Sequence, residues 1–241
     1  MQRDTDKDWN IIAENSPYFG VLSNEQFQNP TEHDLNTFFS SGRTDVENMM
    51  NIIKHDHGNF SPKTVLDFGC GVGRLLIPMS RLSGKGVGVD IADGMLDLAR
   101  HHIANSGVNA TVQNSIPSAT FDWVNSFIVL QHIPPPRGYE IIERLWSATA
   151  VGGILSFHVT IFKEQRHTAE LQNRIKRYTF DGESVSLLEQ HDGDTGSMTM
   201  FDYNLAAVMS KLNLVAGQTF RAQYTIHGGC HGINFFVHKP S

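Results

Sequence analysis

The chain predicts an α/β protein with a doubly wound, mostly parallel sheet. Three observations carry that prediction. The first is the segment Thr64-Val-Leu-Asp-Phe-Gly-Cys-Gly-Val-Gly-Arg-Leu75, where a short apolar run passes into three alternating glycines, Gly69, Gly71 and Gly73, and then into a helix start at Leu75-Leu76-Ile77. The second is the alternation of strand-like and helix-like segments between about residues 64 and 161, which implies parallel strands with helices on both faces and right-handed crossovers. The third is the nearly all-apolar run Trp123-Val-Asn-Ser-Phe-Ile-Val-Leu130, the composition of a strand covered on both sides.

Each element follows from local signals. Trp9–Asn15 reads as a short helix, and the Pro- and Gly-containing stretch Ser16–Leu22 as a departure from it. Glu32–Ser40 carries Leu35, Phe38 and Phe39 at helical spacing, with Gly42 as a plausible end. Thr44 and Glu47 form a capping-box pair for a further helix to about His55. The first 60 residues thus form an N-terminal helical cap, and 61–241 the sheet domain. Its strands are Thr64–Phe68, Gly86–Asp90, Ala110–Gln113, Phe121–Phe127 and Gly153–Ile161; its helices are Arg74–Leu82, Gly94–Ser106 and Arg137–Thr149. Residues 163–200 are polar and break the pattern, so they read as an insertion, partly helical over Thr168–Lys176. Helical periodicity resumes over Asp202–Leu212, and Gly217–Ile226 and Gly232–His238 form a closing hairpin around His227-Gly-Gly-Cys-His231. The sheet then has seven strands.

Composition narrows the function. The 241 residues suffice for one large α/β domain with small additions, and 40% hydrophobic residues supply a core. A net charge of −6 argues against broad nucleic-acid binding, which needs a surplus of Lys and Arg. Two cysteines, Cys70 and Cys230, are too few for a disulfide framework. Met1–Asn10 is polar and no apolar run reaches the ~20 residues of a membrane span, so a cytoplasmic protein without membrane contact is expected.

The glycine segment points to a nucleotide cofactor. Glycine permits a sharp turn with φ > 0 and lets a ligand lie against the backbone, while a helix start offers free N–H groups. The dinucleotide pattern G-x-G-x-x-G is not met, because Gly73 comes one residue early and Arg74 stands in the third glycine's place. No Gly-Lys-Ser/Thr phosphate loop is present. A second run, Gly86-Val-Gly-Val-Asp90-Ile-Ala-Asp-Gly-Met95, is another strand that ends in an acid. Asp90 is suited to a ribose because a carboxylate accepts from both hydroxyls. It also suits a helix cap, a service that Asp93 offers equally.

In order and spacing, Asp67-x-Gly69-x-Gly71-x-Gly73 followed by Asp90 resembles the class I S-adenosylmethionine-dependent methyltransferases, over roughly Pro62–Thr160. The resemblance implies a Rossmann-like sheet whose last strand inserts beside the fifth, and helices that cover the cofactor pocket. It implies S-adenosylmethionine as cofactor. Gly69, Cys70, Gly71, Gly73 and Arg74 would pass under the methionine and ribose parts, with Asp67 orienting the amino group. Asp90 would take the ribose, and Ile91 and Met95 the adenine face. Asn114, with Ser115 and Ile116, stands where the family usually has an acid for the adenine amine; the Asn114 side-chain oxygen still accepts a hydrogen bond. Phe127 ends the fourth strand, where the resemblance places the transferred methyl. Cys70, inside the glycine turn, reads as a small buried side chain and not as a nucleophile.

His132, in Gln131-His-Ile-Pro-Pro-Pro136, is the candidate general base, since a neutral imidazole takes a proton near pH 7. The alternative is that it bonds a backbone carbonyl and positions the loop. Tyr18 and Phe19 are candidates for a lid or for plain packing. Gln131, His158, His227 and His231 are candidates for the acceptor side, though His158 also reads as an interior histidine. His227, Cys230 and His231 fit no zinc spacing, so no metal is expected. Arg166, Arg174, Lys176 and Arg177 are a solvated helix face or a clamp for an acidic group. The expected activity is methyl transfer to an oxygen or nitrogen of a small molecule. A dinucleotide-dependent oxidoreductase and a non-catalytic cofactor-binding protein are the alternatives.

Overall fold

The computed structural model describes residues 4–164, 176–180, 185–189, 196, 198–212 and 220–240. Strands β1 (Val65–Phe68), β2 (Gly86–Val89), β3 (Ala110–Gln113), β4 (Phe121–Ser126) and β5 (Thr149–Lys163) are parallel neighbours in the order β3-β2-β1-β4-β5. The closing hairpin, β8 (Phe220–His227) and β9 (Cys230–His238), adds β9 antiparallel to β5 and β8 at the edge. The seven-stranded sheet is the expected one, with the last strand inserted beside the fifth. A separate ribbon pairs β6 (Lys176–Phe180) with β7 (Val185–Glu189). Lys176 and Arg177 therefore lie on a strand, not on the expected helix face. Most of the Thr168–Lys176 expectation, with Arg166 and Arg174, falls outside the described residues.

The helices are α1 (Thr5–Asn15), α2 (Pro17–Val21), α3 (Glu32–His57), α4 (Leu76–Ser83), α5 (Asp93–Ser106), α6 (Pro135–Ala148) and α7 (Leu205–Lys211). Pro17 does interrupt α1, but as the first residue of a new short helix, where its missing N–H costs nothing. The main correction is α3, one unbroken helix of 26 residues that opens on a Thr31–Asp34 capping box. Gly42 does not end it. A Cβ there would lie 2.4 Å from the carbonyl oxygen of Arg74, so glycine lets the helix press against the glycine turn. Thr44 caps nothing; its hydroxyl donates to the Ser40 carbonyl within the helix.

The two faces of the sheet carry different layers. On one, Val46, Met49 and Ile53 of α3 pack with Val65, Trp123 and Phe236. On the other, Ile142 and Leu145 of α6 and Val208 of α7 pack on Leu66, Val124 and Leu155. Helices α1 and α2 fold back over the sheet's C-terminal edge, where Ile12 joins Phe38, Val72 and Met95.

Candidate cofactor and acceptor site

Sheet topology places the site before any side chain is considered. From β1 the chain moves outward through β2 and β3, then returns to the other side at β4. At this reversal the connections leave in opposite directions, and a crevice opens beyond the carboxyl ends of β1 and β4. A cavity of about 920 Å³ lies there, at the large end of the range for small-molecule sites.

The two strand ends meet closely. Gly69 has φ 74°, and a Cβ on it would lie 2.3 Å from the Val129 side chain. Only glycine allows that approach. Beside Val129, Ile128 has φ 59°, alone among the described non-glycine residues in the left-handed region that L-residues rarely adopt. A β-branched residue held there stores about 1–3 kcal/mol of strain, and such strain concentrates at functional sites. Both Ile128 and Val129 line the cavity.

Asp67 is anchored by a line of buried polar groups across three strands. The Trp123 indole donates to the Ser156 hydroxyl at 2.8 Å, Ser156 donates to the Asn125 side-chain oxygen at 2.7 Å, and the Asn125 amide donates to Asp67 at 2.9 Å. Asp67, Asn125 and Ser156 are register partners in β1, β4 and β5, so the ladder itself aligns them. Burial raises the Asp67 pKa to about 7, against the Asn125 hydrogen bond and the nearby Arg74 charge.

Asp90, just past β2, closes the other wall. One carboxylate oxygen accepts from the Gly71 N–H at 2.9 Å and the other from the Ala92 N–H at 3.0 Å. The acid thus ties the glycine turn to the entry of α5. Burial raises its pKa, opposed by those N–H groups. Asp93 is the first helical residue of α5, after the N-cap Ala92, and it is Asp90 that accepts the Ala92 N–H at the helix entry. Arg74 reaches across to α3, donating to Asp45 at 2.6 Å and to Ser41 at 3.1 Å. Cys70 is buried, with its thiol pKa pushed well up by burial, in keeping with a packing role.

Most predicted residues do converge. Asp67, Gly69, Cys70, Gly71 and Arg74 line the cavity, as do Asp90, Ile91 and Met95, then Asn114, Ser115 and Ile116, and finally Phe127, Gln131, His132 and His227. Five do not. Gly73 (φ 90°) serves the turn, and a Cβ there would meet Ile77 and Ala99 only at ordinary contact distance. Tyr18 turns to α5, where its hydroxyl meets the His102 ring at 2.8 Å, and Phe19 is likewise off the cavity wall. His158 is buried beneath the wall, bonded to Thr225 at 2.8 Å, and burial lowers its pKa to about 3. His231 stacks on Phe162 with ring centroids 4.2 Å apart, outside the cavity. His227 and His231 are strand ends, not loop residues, and among the described residues no three His, Cys, Asp or Glu converge as a metal set.

His132 is held on both sides. Its Nδ1–H donates to the Thr199 carbonyl at 2.9 Å, and Nε2 accepts from the Gln131 amide at 3.1 Å. Burial lowers its pKa to about 4. The geometry is that of the positioning alternative and corrects the base reading. Gln131 in turn accepts from Thr160 at 2.7 Å and binds Phe201 through its carbonyl. Residues unforeseen from sequence complete the enclosure: Trp9, edge-on to His132 at 5.0 Å, with Val21, Leu22, Met198 and Met200. Arg137 pairs with Asp6 at 2.7 Å, fastening α1 across α6.

Comparison with known proteins agrees with this geometry. Residues 65–153 match the family model for a methyltransferase domain. That stretch is therefore similar to a methyltransferase domain. It is 36% identical over 86 residues to a ubiquinone biosynthesis O-methyltransferase of Ruegeria sp. (strain TM1040), covering 33% of this chain and 35% of that protein. With the enzyme of the same name from Serratia proteamaculans (strain 568) it shares 32% over 134 residues, 47% of this chain and 56% of that one. The matches thus span between about a third and about a half of those relatives. The magnesium protoporphyrin IX methyltransferase of Synechocystis PCC 6803, solved with bound SAH, has the same fold, with TM-score 0.63 at 17% identity over 96% of this chain and 99% of that one. Among the described residues no helix is long and apolar enough to cross a membrane.

Proposed function

We propose that the protein transfers a methyl group from S-adenosylmethionine to an oxygen or nitrogen of a small molecule. One observation carries the reading. The glycine turn and Asp90 are hydrogen-bonded to each other on the wall of one cavity, so a single adenosine can touch both. The residues present fit the cofactor. Asp90 has lone pairs left for ribose hydroxyls, and Ile91 and Met95 offer apolar surface to a purine. Asp67, fixed by Asn125, faces the same space as a partner for an ammonium group. Such a partner would favour its ionised form and offset the burial that raises its pKa.

When bound, the sulfonium supplies an electrophilic methyl carbon. The chain's own contribution is alignment. The strained corner at Ile128 and the Gly69–Val129 contact fix the floor beside Phe127. Trp9, Val21 and Leu22 exclude water from above, and His132 holds the wall through Thr199 and Gln131. Alignment of this kind supplies a large part of the barrier reduction in bimolecular transfers. Residues 1–60 act as the cap in this reading, 61–241 as the transferase domain, and 163–200 as an insertion over the acceptor. A thermal-shift titration tests it. S-adenosylmethionine and its demethylated product should both raise the melting temperature by mass action, and NAD should not. Stabilisation by NAD alone would overturn the proposal.

A further inference from the structure

We infer that His227, at the end of β8, is the proton acceptor for a hydroxyl acceptor bound in this cavity; this rests on the methyl-transfer reading above. His227 lines the cavity from the side of the closing hairpin, and its ring stands edge-on to Phe127 with centroids 5.9 Å apart. Phe127 lies just past the end of β4 on the cavity floor. The imidazole is therefore within one ring's reach of the strand end where the acceptor must sit.

Its chemistry distinguishes it from the other histidines nearby. His132 spends both nitrogens on Thr199 and Gln131, and His158 lies beneath the wall, bonded to Thr225. Among the described residues no hydrogen bond engages either ring nitrogen of His227, and the residue is solvent-accessible. Its backbone is nonetheless fixed. His227 pairs with Cys230 across a two-residue turn, Gly228-Gly229, whose φ angles of 59° and 88° suit a tight hairpin. A rigid backbone with a free imidazole is the arrangement that a proton-accepting group needs.

The groups that face it set its protonation. His158 of β5 packs against it at 5.4 Å, Cys230 of β9 is its register partner, and Asp45 of α3 raises its pKa, with Arg74 paired to that acid. Burial is the larger influence and lowers the pKa from its ordinary value, so the ring is neutral at pH 7. In the step, an oxygen lone pair of the acceptor forms the O–CH3 bond. The S–CH3 bond breaks with its electron pair passing to sulfur, which leaves a neutral thioether. The acceptor's proton passes to an imidazole nitrogen of His227 and from there to solvent through the open side.

The test uses the full chain and S-adenosylmethionine with a methyl-labelled donor group. The probes are catechol, 3-hydroxypropanoate and glycerol, assayed from pH 5 to 9. For a hydroxyl probe that is methylated, kcat/KM should fall on the acid side below pH 6.5. His227→Asn should lower it about 10²–10⁴-fold and abolish that acid limb. His227→Ala should lose as much and recover in part with added imidazole, while His231→Ala, outside the cavity, should leave rate and profile unchanged. Calorimetric binding of S-adenosylhomocysteine by each variant confirms the folded site. A His227→Asn protein within about threefold of wild type, with the acid limb intact, would overturn the inference. So would a protein that binds S-adenosylhomocysteine yet methylates none of the hydroxyl probes. A wild-type protein that binds neither form of the cofactor would instead sink the underlying reading.

Discussion

Replacing Asp90 with alanine is the sharpest perturbation of the proposed cofactor wall. The carboxylate has roughly four acceptor positions, and two are taken by the N–H groups of Gly71 and Ala92, at 2.9 and 3.0 Å. The remaining pair is available to two ribose hydroxyls. A hydrogen bond to a charged group contributes about 1.5–3 kcal/mol, so losing both amounts to about 3–6 kcal/mol. At about 1.4 kcal/mol per tenfold, S-adenosylhomocysteine should bind roughly 10²–10⁴-fold more weakly. Isothermal titration of wild type, Asp90→Ala and Asp90→Asn reads this directly. Asn should lie between the two, because its amide keeps one acceptor oxygen and presents a donor where a backbone N–H already points. Burial raises the Asp90 pKa while ligand hydroxyls favour the carboxylate, so wild-type affinity should also weaken as pH falls through that raised value. An Asp90→Ala protein that keeps its native circular dichroism and binds within about threefold of wild type would refute the assignment of the ribose to this acid.

Other outcomes follow from the same geometry. Gly42→Val places a Cβ 2.4 Å from the Arg74 carbonyl. Overpacking of about 1–3 kcal/mol should lower Tm by about 2–12 °C and weaken cofactor binding with it; an unchanged Tm would contradict the close approach. Ile128→Gly releases the backbone strain at φ 59°, so Tm should hold or rise while cofactor affinity falls, a split that calorimetry and thermal melts read together. Asp67 has a folded pKa of about 7, above its unfolded value. Between about pH 4 and 7 the native state holds a proton there that the unfolded chain has lost, so its contribution to stability falls as pH rises through that window. Asp67→Asn lacks this loss. In urea unfolding it should gain about 3 kcal/mol on wild type between pH 4.5 and pH 8, and a constant difference would contradict the buried proton.

The sequence was most informative where local pattern and tertiary role coincide. Ala110–Gln113 is a strand at the predicted residues, and Gly94–Ser106 a helix to within one residue, because periodicity and flanking glycines mark both. The convergence of Gly69, Gly71 and Asp90 on one cavity was legible for a similar reason, since they belong to two short contiguous motifs. Gly42 misled because a glycine that ends a helix and a glycine that admits a neighbouring backbone look alike until Arg74 is in place. Asn125 and Ser156 were invisible as supports for Asp67, since their alignment arises only when β1, β4 and β5 are in register. Trp9, Met198 and Met200 reach the cavity from distant parts of the chain, and no local spacing announces that convergence. His132 was placed on the wall correctly, but its two hydrogen bonds depend on Thr199, which is 67 residues away.

A crystal structure of the protein soaked or grown with S-adenosylhomocysteine probes the heart of the matter. The ribose hydroxyls should lie within hydrogen-bond distance of Asp90, the amino-acid end against Gly69 to Gly71, and the sulfur toward Phe127. Density for the ligand anywhere else, or an Asp90 carboxylate left with only its Gly71 and Ala92 partners, would contradict the proposed cofactor site.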